Sequence, residues 1–195
     1  KLTLEDGTGK VTDAKIWKSD GAVAYRVTGS FNHAALSYDN YVLADGVAFF
    51  NIENGLVSLS QVSGTVNGQK LSGEVTVDAN GDSPVFDGNV FLHQVDLTAL
   101  LPEEGISGIL DGNVNFSGTT DDPSISGALT GKRLSYEGYD VERAKAVFAY
   151  HDDQLTLSQL EADRDGGHVE GKASYDRRSG DFYANLLADH INLEG

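Results

Sequence analysis

Five histidines (His33, His93, His151, His168 and His190), the carboxylate pairs Asp121-Asp122 and Asp152-Asp153, and scattered serines are the side chains of this 195-residue chain that could do chemistry. A zinc protease needs two histidines one helical turn apart, as in His-Glu-x-x-His, so that both rings reach one ion. No two histidines stand at that spacing. A hydrolase of the α/β class needs its serine inside Gly-x-Ser-x-Gly, which does not occur. Adjacent aspartates in polar stretches are turn formers that bond nearby backbone, whereas a glycosidase needs its two carboxyls spaced across a sugar ring. Asp78-Ala-Asn-Gly-Asp82 begins like a calcium loop, but Ser83 stands in place of the sharp-turn glycine and Asn89 in place of the bidentate glutamate. Without cysteine there is neither thiolate chemistry nor a disulfide framework. The glycines form no phosphate-cradling or dinucleotide pattern. The expectation is a protein that is not an enzyme, with no catalytic residue, no metal and no cofactor.

Charge narrows the partners. Fourteen Lys and Arg against thirty Asp and Glu give a net charge of −16, which repels phosphate backbones and anionic membrane surfaces, so nucleic acid is not an expected partner. Twenty-three glycines with three prolines suit many strands joined by tight turns.

What must position these side chains is a repeated unit. Shifted by 98 positions, Gly29-Ser-Phe-Asn-His-Ala-Ala-Leu-Ser-Tyr38 falls on Gly127-Ala-Leu-Thr-Gly-Lys-Arg-Leu-Ser-Tyr136. The register then holds without a gap to Asp78 over Asp176, through Leu59-Ser-Gln61 over Leu157-Ser-Gln159. Repeated units of this kind bury their apolar surface by stacking on neighbours, so neighbouring repeats of the same chain are expected contacts. Residues 1–100 read as one unit carrying the end of a preceding one, and residues 101–195 as the second. The chain starts and stops within polar–apolar alternation (Lys1-Leu-Thr-Leu4 and Asp189-His-Ile-Asn-Leu193) and reads as a fragment.

Strand side chains alternate between faces, and one parity is apolar in both copies. In the first copy this face holds Val27, Phe31, Phe50, Ile52, Val57, Leu59, Val75 and Val77, followed by Phe86, Val90 and Leu92. Val114 and Phe116 precede the second copy, which supplies Ile125, Leu129, Phe148, Tyr150, Leu155, Leu157, Val169, Ala173, Tyr175, Phe182 and Leu186. Ser72, Glu74, Thr76 and Asp78, with Glu170, Lys172, Ser174 and Asp176, lie on the opposite, wet parity. Gln61 and Gln159 interrupt the apolar parity in both copies, either meeting a polar part of a ligand or marking a rim. Gly29/Gly127 and Gly73/Gly171 mark either a bend of the sheet or close packing against a large neighbour. Asp-Gly and Asn-Gly pairs, beginning with Asp6-Gly7 and including Asp45-Gly46, give turn signals for about fifteen strands. One short segment, Asp96-Leu-Thr-Ala-Leu-Leu-Pro-Glu-Glu-Gly105, reads as helical, with an N-cap aspartate, an apolar cluster and a breaking proline. Two such apolar faces packed together would give an ordinary sandwich.

The stretch Leu110-Asp-Gly-Asn-Val-Asn-Phe-Ser-Gly-Thr-Thr-Asp-Asp-Pro-Ser-Ile-Ser-Gly-Ala-Leu129, preceded by Val95-Asp-Leu97 and leading into Leu134-Ser-Tyr136, carries a further signature. It resembles the TamB family of AsmA-like proteins of diderm bacteria, in which a Gly-rich strand, a Gly-Thr-x-x-x-Pro turn and an x-x-x-Gly strand recur. The resemblance implies an all-β, elongated, curled and mostly antiparallel sheet forming an open groove, the β-taco, built here from a unit of 98 residues. It implies a groove lined by the apolar residues named above, holding phospholipid or another acyl-chain lipid and supporting its transport between inner and outer membranes. It implies a periplasmic location in an inner-membrane-anchored protein whose anchor lies outside this fragment, and an outer-membrane barrel as partner of the translocation and assembly module. Two other readings are an assembly or chaperone module working through exposed strand edges, and a surface β-solenoid adhesin. The parity of Phe50, Phe86, Phe148 and Phe182 favours the lipid conduit, since an adhesin would carry its aromatics on the wet face.

Overall fold

A computed structural model describes residues 2–19, 21–38, 41–101 and 104–190, the side chains of 2–5, 36–38 and 41 excepted. It is all-β. The elements are β1 (Leu2–Ser19), β2 (Ala22–Tyr38), β3 (Tyr41–Glu53), β4 (Leu56–Val66), β5 (Gln69–Asp78), β6 (Val85–Asp96), α1 (Leu97–Leu100), β7 (Ile106–Gly118), β8 (Pro123–Tyr136), β9 (Tyr139–His151), β10 (Gln154–Arg164), β11 (Gly167–Asp176) and β12 (Phe182–Asp189). The strands lie in one antiparallel sheet in chain order, and the sheet does not close into a barrel. Chain order follows from the turns. Asn54-Gly55, Asn67-Gly68 and Asp165-Gly166 have positive φ at both residues, the backbone whose twist matches that of a two-residue hairpin.

Among the described residues twelve strands stand where turn signals suggest about fifteen. Asp6-Gly7 and Asp45-Gly46 lie within β1 and β3, at shifts of strand register. Asp45 has φ 52°, the conformation it would adopt in a turn, but it uses it for a β-bulge that leaves the strand running. The helix is short. The Asp96 carboxylate accepts the Thr98 N–H at 2.9 Å, and the Leu101 N–H closes onto the Leu97 carbonyl at 2.8 Å. Val95 and Leu97, on either side of the cap, are among the most deeply buried side chains described. Pro102, the helix breaker in the sequence, and Ile191-Asn-Leu193, the end of the closing polar–apolar alternation, lie outside the described residues.

The chain divides into two compact units, residues 1–90 with 117–121, and residues 91–116 with 122–195. The repeat is carried into the backbone: β9, β10 and β11 begin and end 98 residues after β3, β4 and β5.

Candidate functional site

Residues directly opposite each other on paired strands share a face of the sheet, so strand registers sort the apolar residues without further assumption. In the first unit, Val27, Ile52, Val57 and Val77 form one row across β2 to β5, and Gly29, Phe50, Leu59 and Val75 form the next. Phe31 stands opposite Ala48 beyond them. In the second unit the rows are Ile125, Tyr150, Leu155, Tyr175 and Phe182; Gly127, Phe148, Leu157, Ala173 and Ala184; and Leu129, Ala146, Leu160, Gly171 and Leu186. Val169 lies in a fourth row, with Ala162 and Ala188. On β6 the Asn89 side chain donates to Glu74 on the wet face at 3.0 Å, which turns Phe86, Val90 and Leu92 to the apolar face by alternation. On β7 a Cβ built on Gly112 would touch the Leu129 side chain, so Val114 and Phe116 share the face of Leu129.

Simple alternation puts Gln61 and Gln159 on the apolar face, and the strand registers do not. Gln61, with φ 50°, sits where the β4–β5 register slips between Leu59 and Val62, and Gln159 sits in the matching slip between Leu157 and Leu160. Both are exposed. The Gln159 amide donates to Glu161 Oε1 at 2.6 Å, and Glu161 lies opposite Lys145 and Glu170 on the wet face. The glutamines are therefore bulge residues and not polar points on the apolar face. The extra residue flips parity, which brings Val62 and Leu160 onto the apolar face with Leu59 and Leu157. The signal was present as the tetrapeptide Leu-Ser-Gln-Val/Leu in both copies.

The repeated glycines are sites of close approach. A Cβ on Gly29 would run into the Lys10 carbonyl and the Phe50 ring, and one on Gly127 into the Asn113 carbonyl and the Phe148 ring. Gly73 and Gly171 face the Asn89 and Asn185 carbonyls in the same way. The rings of Phe31 and Phe50 stack 4.8 Å apart over the room this leaves.

Burial shows how far the face is covered. Of the twenty-four residues assigned to it from sequence, Phe50 and Ala173 are buried and the rest are half-buried or exposed, Tyr175 at 42 %, Leu186 at 48 % and Phe182 at 70 %. In a two-layer sandwich the inner face would be packed dry. Here, within each unit, apolar side chains line up across four or five strands and remain accessible.

The other face is polar and, in the second unit, ionic. Arg143 meets Asp163 at 3.0 Å, Lys145 meets Glu161 at 3.0 Å, and His168 Nδ1 lies 2.7 Å from Asp163. The hydrogen bond to His168 and the nearby Arg143 hold the Asp163 carboxyl below its ordinary range, and Asp163 in turn raises His168. His33, His93 and His190 each have a separate carboxylate within 4 Å, from Asp45, Asp111 and Asp189. Asp78, the start of the calcium-like segment, bonds the Asn80 N–H and side-chain amide at 3.0 and 2.9 Å, an Asx-type turn. No helix among the described residues is long and apolar enough to cross a membrane. Comparison of the chain with protein families, with curated proteins and with solved structures finds no match.

Proposed function

We propose that this chain is a segment of a periplasmic lipid-transfer protein, in which the apolar face shields the acyl chains of phospholipid on their way between inner and outer membranes. The observation that carries the reading is the set of aligned apolar rows whose members stay half-open. An acyl chain laid along them is held by the hydrophobic effect, at about 0.8 kcal/mol per buried methylene. Successive strands present equivalent side chains, so a chain that slides loses one contact and gains another of the same kind. No bond is made or broken. The resemblance to the TamB family supports the same reading from sequence, and the strongly anionic composition keeps the opposite face hydrated.

A photo-crosslinkable residue tests it. Placed at Leu59, Val75 or Leu157 in vivo, it should capture lipid, whereas at Ser58, Thr156 or Lys172, which pair on the wet face, it should not. Equal capture on both faces, or capture on neither with no lipid copurifying in native mass spectrometry, would sink the proposal.

A further inference from the structure

We infer that Asn80 is a site of self-modification, where the chain converts its own side-chain amide to a carboxylate, and that the fold singles it out among the three Asn-Gly pairs. These pairs are Asn54-Gly55, Asn67-Gly68 and Asn80-Gly81. The third lies in Asp78-Ala-Asn-Gly-Asp82, the segment that begins like a calcium loop and that lipid holding does not use.

An Asn-Gly pair is reactive because glycine has no side chain to shield its backbone nitrogen. Deprotonated by solvent base, that nitrogen attacks the asparagine Cγ. The N–Cγ bond forms, the Cγ–Nδ2 bond breaks, and the amide nitrogen leaves as ammonia with a proton from water. The product is a five-membered succinimide ring. Water then adds to one of its two carbonyls and breaks that carbonyl's bond to the ring nitrogen, which takes up a proton. Attack at Cγ leaves aspartate, and attack at the backbone carbonyl leaves isoaspartate. One water enters and one ammonia departs, with nothing oxidised or reduced.

Ring closure swings the peptide that follows the asparagine, so it needs a backbone free to turn and a glycine N–H free of partners. Asn54 and Gly55 fill the whole gap between paired Glu53 and Leu56, and Asn67 and Gly68 that between paired Val66 and Gln69. All four have positive φ, set by two-residue hairpins that cannot turn without breaking the ladder. Asn54 is held twice more: its Oδ1 accepts the Tyr25 N–H at 2.8 Å, and the Gly55 N–H donates to the Tyr25 hydroxyl at 3.1 Å. Asn80 is placed differently. It lies in the six residues between β5 and β6, all of them exposed, and neither Asn80 nor Gly81 has positive φ. The Asp78 carboxylate accepts the Asn80 N–H at 3.0 Å and its Nδ2 at 2.9 Å, so it holds the group that leaves and not the carbon that is attacked. The Gly81 N–H has no hydrogen bond among the described residues, and a Cβ built on Gly81 meets only the Ser83 carbonyl, at 3.6 Å. Conversion puts a second carboxylate where Asn80 offered Asp78 a donor, so the Asx-type turn is lost and the loop gains a negative charge. It does not depend on lipid.

The test is incubation of the purified chain in mildly alkaline buffer, with the three sites followed by peptide mapping and fragmentation that separates aspartate from isoaspartate. Asn80 should convert first, to a mixture of both. Asn54 should lag by about tenfold or more, since its two bonds to Tyr25 must open. In urea the three rates should converge. Tyr25→Phe, which removes the acceptor of the Gly55 N–H, should speed Asn54 and leave Asn80 unchanged. Gly81→Val should protect Asn80 without moving the thermal midpoint. An intact Asn80 amide after Asn54 or Asn67 has converted, equal rates in the folded chain, or an order that survives in urea would overturn the inference.

Discussion

Ala79 and Arg177 occupy the same place in the two copies, and each donates its N–H to the turn across from it, to the Gly55 carbonyl at 3.0 Å and to the Asp153 carbonyl at 2.9 Å. Around that shared bond the chemistry differs. In the first copy the turn is neutral: Asn54 Oδ1 accepts the Tyr25 N–H at 2.8 Å, and the Gly55 N–H reaches the Tyr25 hydroxyl at 3.1 Å. In the second it is ionic, with Arg178 Nε on Asp153 at 2.8 Å, the Arg178 guanidinium on Asp152, and Tyr150 Oη donating to Asp153 at 3.1 Å. The wet faces diverge likewise. Arg143, Lys145, Glu161 and Asp163 replace Asp45, Val47, Ser63 and Thr65. Through all of this the apolar rows keep their positions and their bulge. The repeat preserves one face and the backbone that shapes it, and leaves the polar chemistry free to change.

The largest expected effect tests that shared backbone. Gly29→Val and Gly127→Val each drive a Cβ into a neighbouring strand's carbonyl, which cannot yield without moving the strand. Each should destabilise its own copy by about 3 kcal/mol, the upper end of overpacking costs, read from urea unfolding and from loss of amide protection in the strands around it. Gly127→Val should cost somewhat less, because its built Cβ stands 2.9 Å from the Phe148 ring whereas that of Gly29 lies closer to Phe50. A neutral effect in either copy would break the equivalence of the two glycines.

A smaller effect separates the turns. Arg178, and after it Tyr150, hold the Asp153 carboxyl below its ordinary value. A depressed carboxylate contributes stability that is fully present above the ordinary pKa of 3.8 and is lost as pH falls through the lowered value. Acid should therefore loosen the second copy's turn pair, while Asn54 and Gly55 give the first copy's turn no carboxylate to protonate. Arg178→Ala should return the Asp153 titration, followed by carboxyl NMR, toward its ordinary range and shift this acid limb upward. An unmoved Asp153 would show that the ion pair does not persist in solution.

Sequence made the fold class legible because a period of two survives in every strand, and because two copies of one unit show which parity must stay apolar. It could not reveal the bulges. An inserted residue has no composition of its own, and Asp-Gly at Asp45-Gly46 reads the same whether the chain turns or continues. Hence alternation alone skips Val62 and Leu160 and sets Gln61 and Gln159 on the wrong face. Nor could sequence tell that Phe182 and Leu186 lie open whereas Phe86 and Val90 are half-covered, since exposure at a sheet edge depends on the neighbouring strand and not on the residue. The ion pairs of β9 to β11 were hidden for a related reason. Arg143 and Asp163 are twenty residues apart and meet only because the β9–β10 register sets them opposite.

The smallest expected effect lies on that ionic ladder. His168 faces Asp163 at 2.7 Å and Glu170 at 3.9 Å, with Glu161 and Arg143 close by, and the Asp163 hydrogen bond raises it above the ordinary histidine value of 6.5. A raised histidine contributes stability that is fully present below its unfolded pKa and is lost as pH rises through its folded pKa. The second unit should therefore weaken slightly as pH is taken upward from 6.5. The first unit carries Lys70 at the matching position and so has no counterpart of this histidine contact, and the strands around Lys70 should not show this response. Amide exchange measured on both units across this window reads the difference directly, with His168→Gln as the control that flattens the second unit's response. The exposed setting keeps the effect small and salt-sensitive. A slope that survives His168→Gln would assign the titration to another group and remove His168 from the contrast between the two copies.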